Sequence, residues 1–171
     1  MKKTKSEIRK KLKNIKIVLS DIDGVLTDGG MYYTGDGLTM KKFNVKDGMG
    51  AVLLKNAGIK VGIISTDKSS IGKVRGQRLS LDFVYTDVPD KKKVLNEICN
   101  SEAVTPSEVA FIGDDVNDLI ILKEVGFSAC PKDSVPEVIK MVHYVCKRNG
   151  GRAAFRELAD MILKVQSKVS R

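Results

Sequence analysis

The stretch Ile15-Lys16-Ile17-Val18-Leu19-Ser20-Asp21-Ile22-Asp23-Gly24 decides the fold. Its first half is apolar and β-branched, the pattern of a strand buried on both faces. It then ends on two aspartates and a glycine. Side chains alternate along a strand, so Asp21 and Asp23 share a face if the strand continues, and Gly24 lets the chain turn there. Similar short strands recur outward from this one. Val61-Gly62-Ile63-Ile64 runs into Ser65, Phe83-Val84-Tyr85 is followed by Lys91, Val109-Ala110-Phe111-Ile112 runs into Gly113-Asp114-Asp115, and Phe127-Ser128-Ala129-Cys130 is a fifth. Helices are expected over 5–14, 47–57, 68–79, 91–100, 117–125, 135–141 and 153–165. Residues 31–33 and 38–40 flank Thr34-Gly35-Asp36-Gly37 as a β-hairpin.

Strands alternating with helices at this spacing predict an α/β fold: a Rossmann-like parallel sheet with helices on both faces, a protruding hairpin and no cap domain. The expected division is a basic arm or helix over residues 1–14 and a single domain over 15–171. In open parallel sheets the ligand sits at the carboxyl ends of the strands. The polar residues fall there: Asp21 and Asp23, Ser65, Lys91, then Asp114, Asp115 and Asp118.

The bulk numbers restrict the classes. The chain has 171 residues, 42% hydrophobic and 30% charged, enough for one domain with a proper core. No apolar run approaches the roughly 20 residues of a membrane-spanning helix, and the basic start lacks a following apolar segment, so membrane insertion and secretion are not expected. Three widely spaced cysteines suit free thiols in a reducing cytoplasm. The net charge of +9 suggests nucleic acid only if it covers a face. Residues 1–16 hold eight Lys and Arg against one Glu, +7 of that total, with no aromatic residue among them. A nucleic-acid partner is therefore not expected.

Two carboxylates at one strand end, with Asp114 arriving from another, repel unless a cation neutralises them, and oxygen ligands with room for water suit Mg²⁺. Asp21, Asp23 and Asp114 are the candidate metal residues. A carboxylate can attack phosphorus to give an aspartyl-phosphate, and a second Asp two residues on can serve as acid and then base. Ser65 supplies a hydroxyl and Lys91 a cation for phosphoryl oxygens. Taken singly, these pieces read as turns, helix caps and solvated charges. Together, each following a predicted strand, they point to a phosphatase.

Asp21-Ile22-Asp23-Gly24-Val25-Leu26-Thr27, Ile63-Ile64-Ser65, Lys91 and Gly113-Asp114-Asp115-Val116-Asn117-Asp118 resemble the four motifs of the haloacid dehalogenase superfamily of phosphohydrolases. Asp28-Gly29-Gly30-Met31-Tyr32-Tyr33, Phe43-Asn44-Val45-Lys46-Asp47-Gly48 and Gly150-Gly151-Arg152 narrow the likeness to its capless branch. That branch contains the 3-deoxy-D-manno-octulosonate 8-phosphate phosphatases, the phosphatases of nine-carbon 2-keto-3-deoxy sugar acid 9-phosphates, and a domain fused to some acylneuraminate cytidylyltransferases. The resemblance implies Asp21 as nucleophile, Asp23 as acid/base that also binds the metal through its backbone carbonyl, Ser65 and Lys91 on the phosphate, and Asp114 as direct Mg²⁺ ligand. It places Asp115 near the metal and Lys91, with Asp118 stabilising the loop. It further implies a sugar acid phosphate substrate from lipopolysaccharide or sialic acid biosynthesis, and a homotetramer in which hairpins roof neighbouring sites.

The chain departs from the pattern after its second strand. The eight-carbon enzymes commonly read Thr-Gly-Arg and the nine-carbon ones Thr-Gly-Glu, where this chain reads Ser65-Thr66-Asp67. Its third motif also lacks the usual Gln-Gly before Lys91. Asp67 as a hydroxyl acceptor, with Arg78 on the element that follows, favours the nine-carbon acid; Lys68 and Arg152 are further candidate substrate-binding residues, Arg152 as a clamp for the substrate carboxylate. The rivals are a receiver-like phospho-Asp domain, whose acceptor lies on a middle strand, and another small-metabolite phosphatase, which usually carries an inserted cap.

Overall fold

The apolar strands do assemble in parallel, and their order explains why the acidic residues meet. The computed structural model describes residues 4–167. Helix α1 (Lys5–Leu12) leads into β1 (Ile17–Ser20), then the hairpin β2 (Thr27–Thr34) and β3 (Gly37–Phe43). There follow α2 (Val45–Asn56), β4 (Lys60–Ile64), α3 (Ser70–Arg78), β5 (Phe83–Tyr85) and α4 (Lys91–Ser101). The rest comprises β6 (Val109–Ile112), α5 (Leu119–Glu124), β7 (Phe127–Cys130), α6 (Pro136–Met141), β8 (Tyr144–Val145) and α7 (Ala154–Gln166). The six-stranded sheet runs β5-β4-β1-β6-β7-β8, every neighbouring pair parallel, and β2–β3 form a separate antiparallel pair.

The chain leaves β1 toward β4 and β5, then crosses back to β6 on the other side of β1. β1 is thus the switch point, where a ligand crevice opens at the carboxyl ends. Ser20 pairs in register with Ile63 of β4 and Ile112 of β6, so Asp21, Ser65 and Gly113-Asp114 all leave the sheet at one level.

Alternation within β1 feeds two cores. Val18 packs with Leu54, Phe155, Leu158 and Ile162 under α1, α2 and α7. Ile17 and Leu19 face Leu95, Ile98, Phe111, Ile121 and Val138 beneath α4, α5 and α6. With helices on both faces, β1, β6 and β7 are buried throughout.

Three local results differ from the sequence reading. A sixth strand, β8, is two residues long, too short to carry a periodic signal. The helix expected over 117–125 opens as a 3₁₀ turn at 116–118 before α5 begins. Helix α1 is capped by a Thr4–Glu7 capping box, buries Leu12 and donates a hydrogen bond from Lys11 Nζ to Gly126 O, so the basic segment packs on the body. All three cysteines are free and buried, and among the described residues no helix is long and apolar enough to cross a membrane.

Helices α2 and α7 are tied by a buried acid. Asp47 Oδ1 accepts from Arg156 N at 2.9 Å, while Oδ2 is buried with no hydrogen-bond partner among the described residues. Burial pushes this carboxyl up to about 6, against hydrogen bonds from the Arg156 and Ala153 backbone. An unfolded Asp holds its proton only below about pH 4. Between about pH 4 and 6 the native state therefore binds more protons, and this group's contribution to stability is lost as pH rises through that window. Asp47→Asn is expected to match the parent in denaturant unfolding near pH 4 (about the unperturbed Asp value) and to gain on the order of 2 kcal/mol relative to it by about pH 7. A stability difference that does not change with pH would refute this.

Candidate active site

Asp21 follows the last residue of β1 and is held in place by the sheet itself. Its amide donates to Ile112 O at 3.0 Å, continuing the β1–β6 ladder, and its Oδ1 accepts from Ile22 N at 2.6 Å. Oδ2 meets Lys91 Nζ at 2.9 Å. Lys91 begins α4, whose N-cap is Asp90, and its side chain is 1% exposed. An isolated buried ammonium costs several kcal/mol. Here a second carboxylate, Asp118 Oδ1 at 2.6 Å, completes its pairing. Burial alone lowers the Lys91 pKa; Asp21 and Asp118 more than reverse that and raise it.

Asp114 comes from the loop after β6. Its amide donates to Asp118 Oδ2 at 2.9 Å, so one fully buried aspartate grips both Lys91 and the Asp114 loop. Gly24 closes the space from the other side with φ +78°, and a Cβ there would lie 2.0 Å from Asp114 Oδ2. Only glycine permits this approach. The Gly150-Gly151 turn in turn packs on the Gly24–Asp28 backbone, with Gly151 N donating to Val25 O at 2.9 Å.

Carboxylate oxygens of Asp21, Asp114 and Asp118 all lie within 4.8 Å of one another. Burial, then the charges of Asp21, Asp118 and Asp115, pushes Asp114 up to about 8. Burial and Asp118 likewise raise Asp21, against the pull of Lys91. One lysine does not neutralise three carboxylates. An all-oxygen donor set short of positive charge fits a hard divalent cation, and Asp21 and Asp114 have oxygens not committed to Lys91.

Ser65 is buried at the end of β4, where its Oγ accepts from Asp67 N at 3.1 Å. Asp23 meets a different lysine from Asp21. Its Oδ2 meets Lys41 Nζ at 2.7 Å, and the same ammonium reaches Asp67 Oδ2 at 2.9 Å. Asp67 also accepts from Ser69 Oγ. Lys41 lies on β3 with its side chain 1% exposed, between Met40 and Lys42, which are exposed. Sequence reading missed it. A lysine in a hairpin looks solvated, and only the three-dimensional placement of Asp23 and Asp67 shows otherwise.

Other expectations change. Lys91 pairs with Asp21 and Asp118; Asp115 is exposed, acts on Asp114 through its charge, and accepts at Oδ1 from Val116 N at 2.6 Å, starting the 3₁₀ turn. Arg78 does not reach the crevice. It ends α3, which starts beyond the carboxyl end of β4 and returns along the sheet for nine residues, about 13 Å of helix. Lys68 is exposed and 3.6 Å from Asp87. Arg152 is exposed, next to the glycine turn that packs on the Gly24 loop.

Comparison with known proteins agrees with this geometry. The profile of the haloacid dehalogenase-like hydrolases matches residues 55–156. The 3-deoxy-D-manno-octulosonate 8-phosphate phosphatase KdsC of Haemophilus influenzae is 37% identical over 163 residues, covering 95% of this chain and 91% of that protein. The crystal structure of the Yersinia pestis 3-deoxy-D-manno-octulosonate 8-phosphate phosphatase superimposes with a TM-score of 0.92 at 34% identity, covering 96% of this chain and 89% of that one. That of the Moraxella catarrhalis enzyme, in complex with magnesium, phosphate and KDO, gives 0.93 at 32% identity, covering 98% and 96%. With likeness of this extent, and with the Asp21, Ser65 and Asp114 loops on adjacent strand ends, the chain belongs to the haloacid dehalogenase-like hydrolases, as a phosphatase without a cap domain.

Proposed function

We propose that this chain is a Mg²⁺-dependent phosphatase of 3-deoxy-D-manno-octulosonate 8-phosphate that works through an aspartyl-phosphate on Asp21. The observation that carries the chemistry is the buried Asp21–Lys91–Asp118 arrangement at the end of β1. Asp21 Oδ attacks phosphorus, the bond from phosphorus to the sugar oxygen breaks, and that oxygen leaves with the electron pair and takes a proton from Asp23. Water then attacks the phosphoryl group and gives a proton to the Asp23 carboxylate, and the bond to Asp21 breaks, freeing phosphate. Lys91 and Ser65 bind the equatorial oxygens. Asp21, Asp114 and the Asp23 carbonyl would hold Mg²⁺, which when bound offsets phosphate charge against the attacking carboxylate. Asp21→Asn is expected to lower turnover at least about a thousandfold while the fold persists, since an amide is a poor nucleophile. Chelation should stop the parent enzyme and added Mg²⁺ restore it. A folded Asp21→Asn protein keeping about a tenth of parent activity would end the covalent reading.

The eight-carbon substrate is preferred on two grounds. The relatives named above carry that activity, and the Moraxella structure holds KDO. The nine-carbon reading needed Asp67 to meet sugar hydroxyls and Arg78 to stand beside it. In the fold the Asp67 carboxylate is engaged by Lys41 and Ser69, and Arg78 is at the wrong end of α3. Arg152, on the turn beside the nucleophile loop, serves as clamp for the substrate carboxylate, with Lys68 as a second cation at the rim. The ratio of kcat/KM for the eight- and nine-carbon phosphates is expected to exceed about ten, the discrimination that a single pocket contact supplies; a ratio below one would reverse the assignment.

The hairpin supports a homotetramer. β2–β3 pair with each other and not with the main sheet, leaving Met31 at 45%, Tyr32 at 46%, Tyr33 at 65% and Met40 at 55% exposure. An isolated two-stranded ribbon is marginal in water, and these side chains gain from burial against another copy. Light scattering at micromolar protein should give about four times the chain mass; a monomer would contradict it.

A further inference from the structure

We infer that Lys41 is a positioning residue for the acid step: it fixes the carboxylate of Asp23 so that the proton reaches the leaving sugar oxygen. The inference rests on the proposed role of Asp23, and nothing in the sequence motifs points to Lys41. Its Nζ sits between Asp23 Oδ2 at 2.7 Å and Asp67 Oδ2 at 2.9 Å, with the side chain 1% exposed. A lysine in that position is held by both carboxylates or by neither, because a buried ammonium with one partner removed is heavily penalised. Asp67 is itself braced. It accepts from Ser69 Oγ, and its amide donates to Ser65 Oγ, the hydroxyl of the phosphate site. The chain of contacts Asp23–Lys41–Asp67–Ser65 therefore ties the acid on one strand end to the phosphate loop on the next.

The contact has a direct consequence for the carboxyl group. With Oδ2 occupied, the only other side-chain hydrogen bond of Asp23 among the described residues is a long one, from Thr27 Oγ1 to Oδ1 at 3.4 Å. Oδ1 is thus the oxygen left to exchange a proton, and its direction is set by the grip on Oδ2. A carboxyl free to rotate would present that proton in many directions, and the rate falls when the productive one is not held. In a purely structural role, Lys41 would anchor the base of the hairpin, where it lies opposite Met31 in the ribbon, and its loss would affect all substrates alike.

Leaving-group dependence separates the two. An alkyl leaving group such as a sugar hydroxyl needs a proton from the acid, whereas p-nitrophenolate departs without one. Reading kcat/KM confines the comparison to steps up to leaving-group departure, so the later hydrolysis of the aspartyl-phosphate, common to both substrates, does not enter. Asp23→Asn is the reference and should lose about a hundredfold or more on the sugar acid phosphate but under about tenfold on p-nitrophenyl phosphate. Lys41→Met is expected to show the same asymmetry, at least about tenfold between the two substrates, and Lys41→Arg to recover part of it. Asp67→Asn, which loosens the far anchor without touching Asp23, should shift the ratio in the same direction and carries the test if Lys41→Met does not fold. Equal losses on both substrates, or none, in Lys41→Met and Asp67→Asn beside an asymmetric Asp23→Asn would overturn the role of Lys41 alone. A symmetric Asp23→Asn would overturn the acid assignment and this inference with it.

Discussion

Three carboxylates share one small volume at the ends of β1 and β6, and a single buried lysine stands against them. The rest of the structure is arranged around that imbalance. Like charges this close cannot all remain ionised without compensation. The fold supplies one positive charge of the three needed through Lys91, at the start of α4 after β5, and leaves the remainder to a cation. Asp118 is the pivot. Fully buried, it orients Lys91 with one oxygen and the Asp114 amide with the other, so the lysine and the Asp114 loop are tied to one side chain.

Backbone geometry makes the crowding feasible. Parallel strands ending in register bring Asp21, Ser65 and Asp114 to one level without help from any side chain. The final approach then depends on missing atoms. At Gly24 a methyl group would occupy the space of the Asp114 carboxylate, and at Gly150 it would strike the Gly24 carbonyl at 1.9 Å. The second contact explains why a turn some 125 residues downstream lies against the Asp21–Gly24 loop: two glycines allow backbone to stack on backbone.

How much of this the sequence reveals depends on the range of the interaction. Strands β1, β4 and β6 are legible because burial on both faces demands continuous apolar runs, and Asp21, Lys91 and Asp114 are legible because strand ends are where parallel sheets place ligands. The division of labour between Asp115 and Asp118 is not. Adjacent acids in one loop differ only in which way a 3₁₀ turn points them, and that turn is set by Asp115 capping Val116. Lys41 is hidden for a related reason. Met40, Lys41 and Lys42 read as a solvated ribbon, and the burial of the middle residue follows from two aspartates 18 and 26 positions away. Asp67 is visible as an acid, but the sequence does not show that its carboxylate meets Lys41 and Ser69.

The hairpin therefore combines exposed apolar side chains with one buried charge. Met31, Tyr32, Tyr33 and Met40 are apolar and exposed along the ribbon, while Lys41, the cross-strand partner of Met31, is charged and buried. Such a ribbon holds its shape poorly alone, yet the Asp23–Lys41–Asp67 contact requires β3 to stay in place to within a hydrogen bond. Covering these exposed side chains with another copy of the chain would restrain the strand that carries Lys41, and through it the orientation of Asp23. In an enzyme without a cap, where no inserted domain closes over the substrate, assembly would then do more than exclude water: it would stiffen the acid at the same stroke. The coupling runs through one strand of seven residues, which makes it short enough to be rigid.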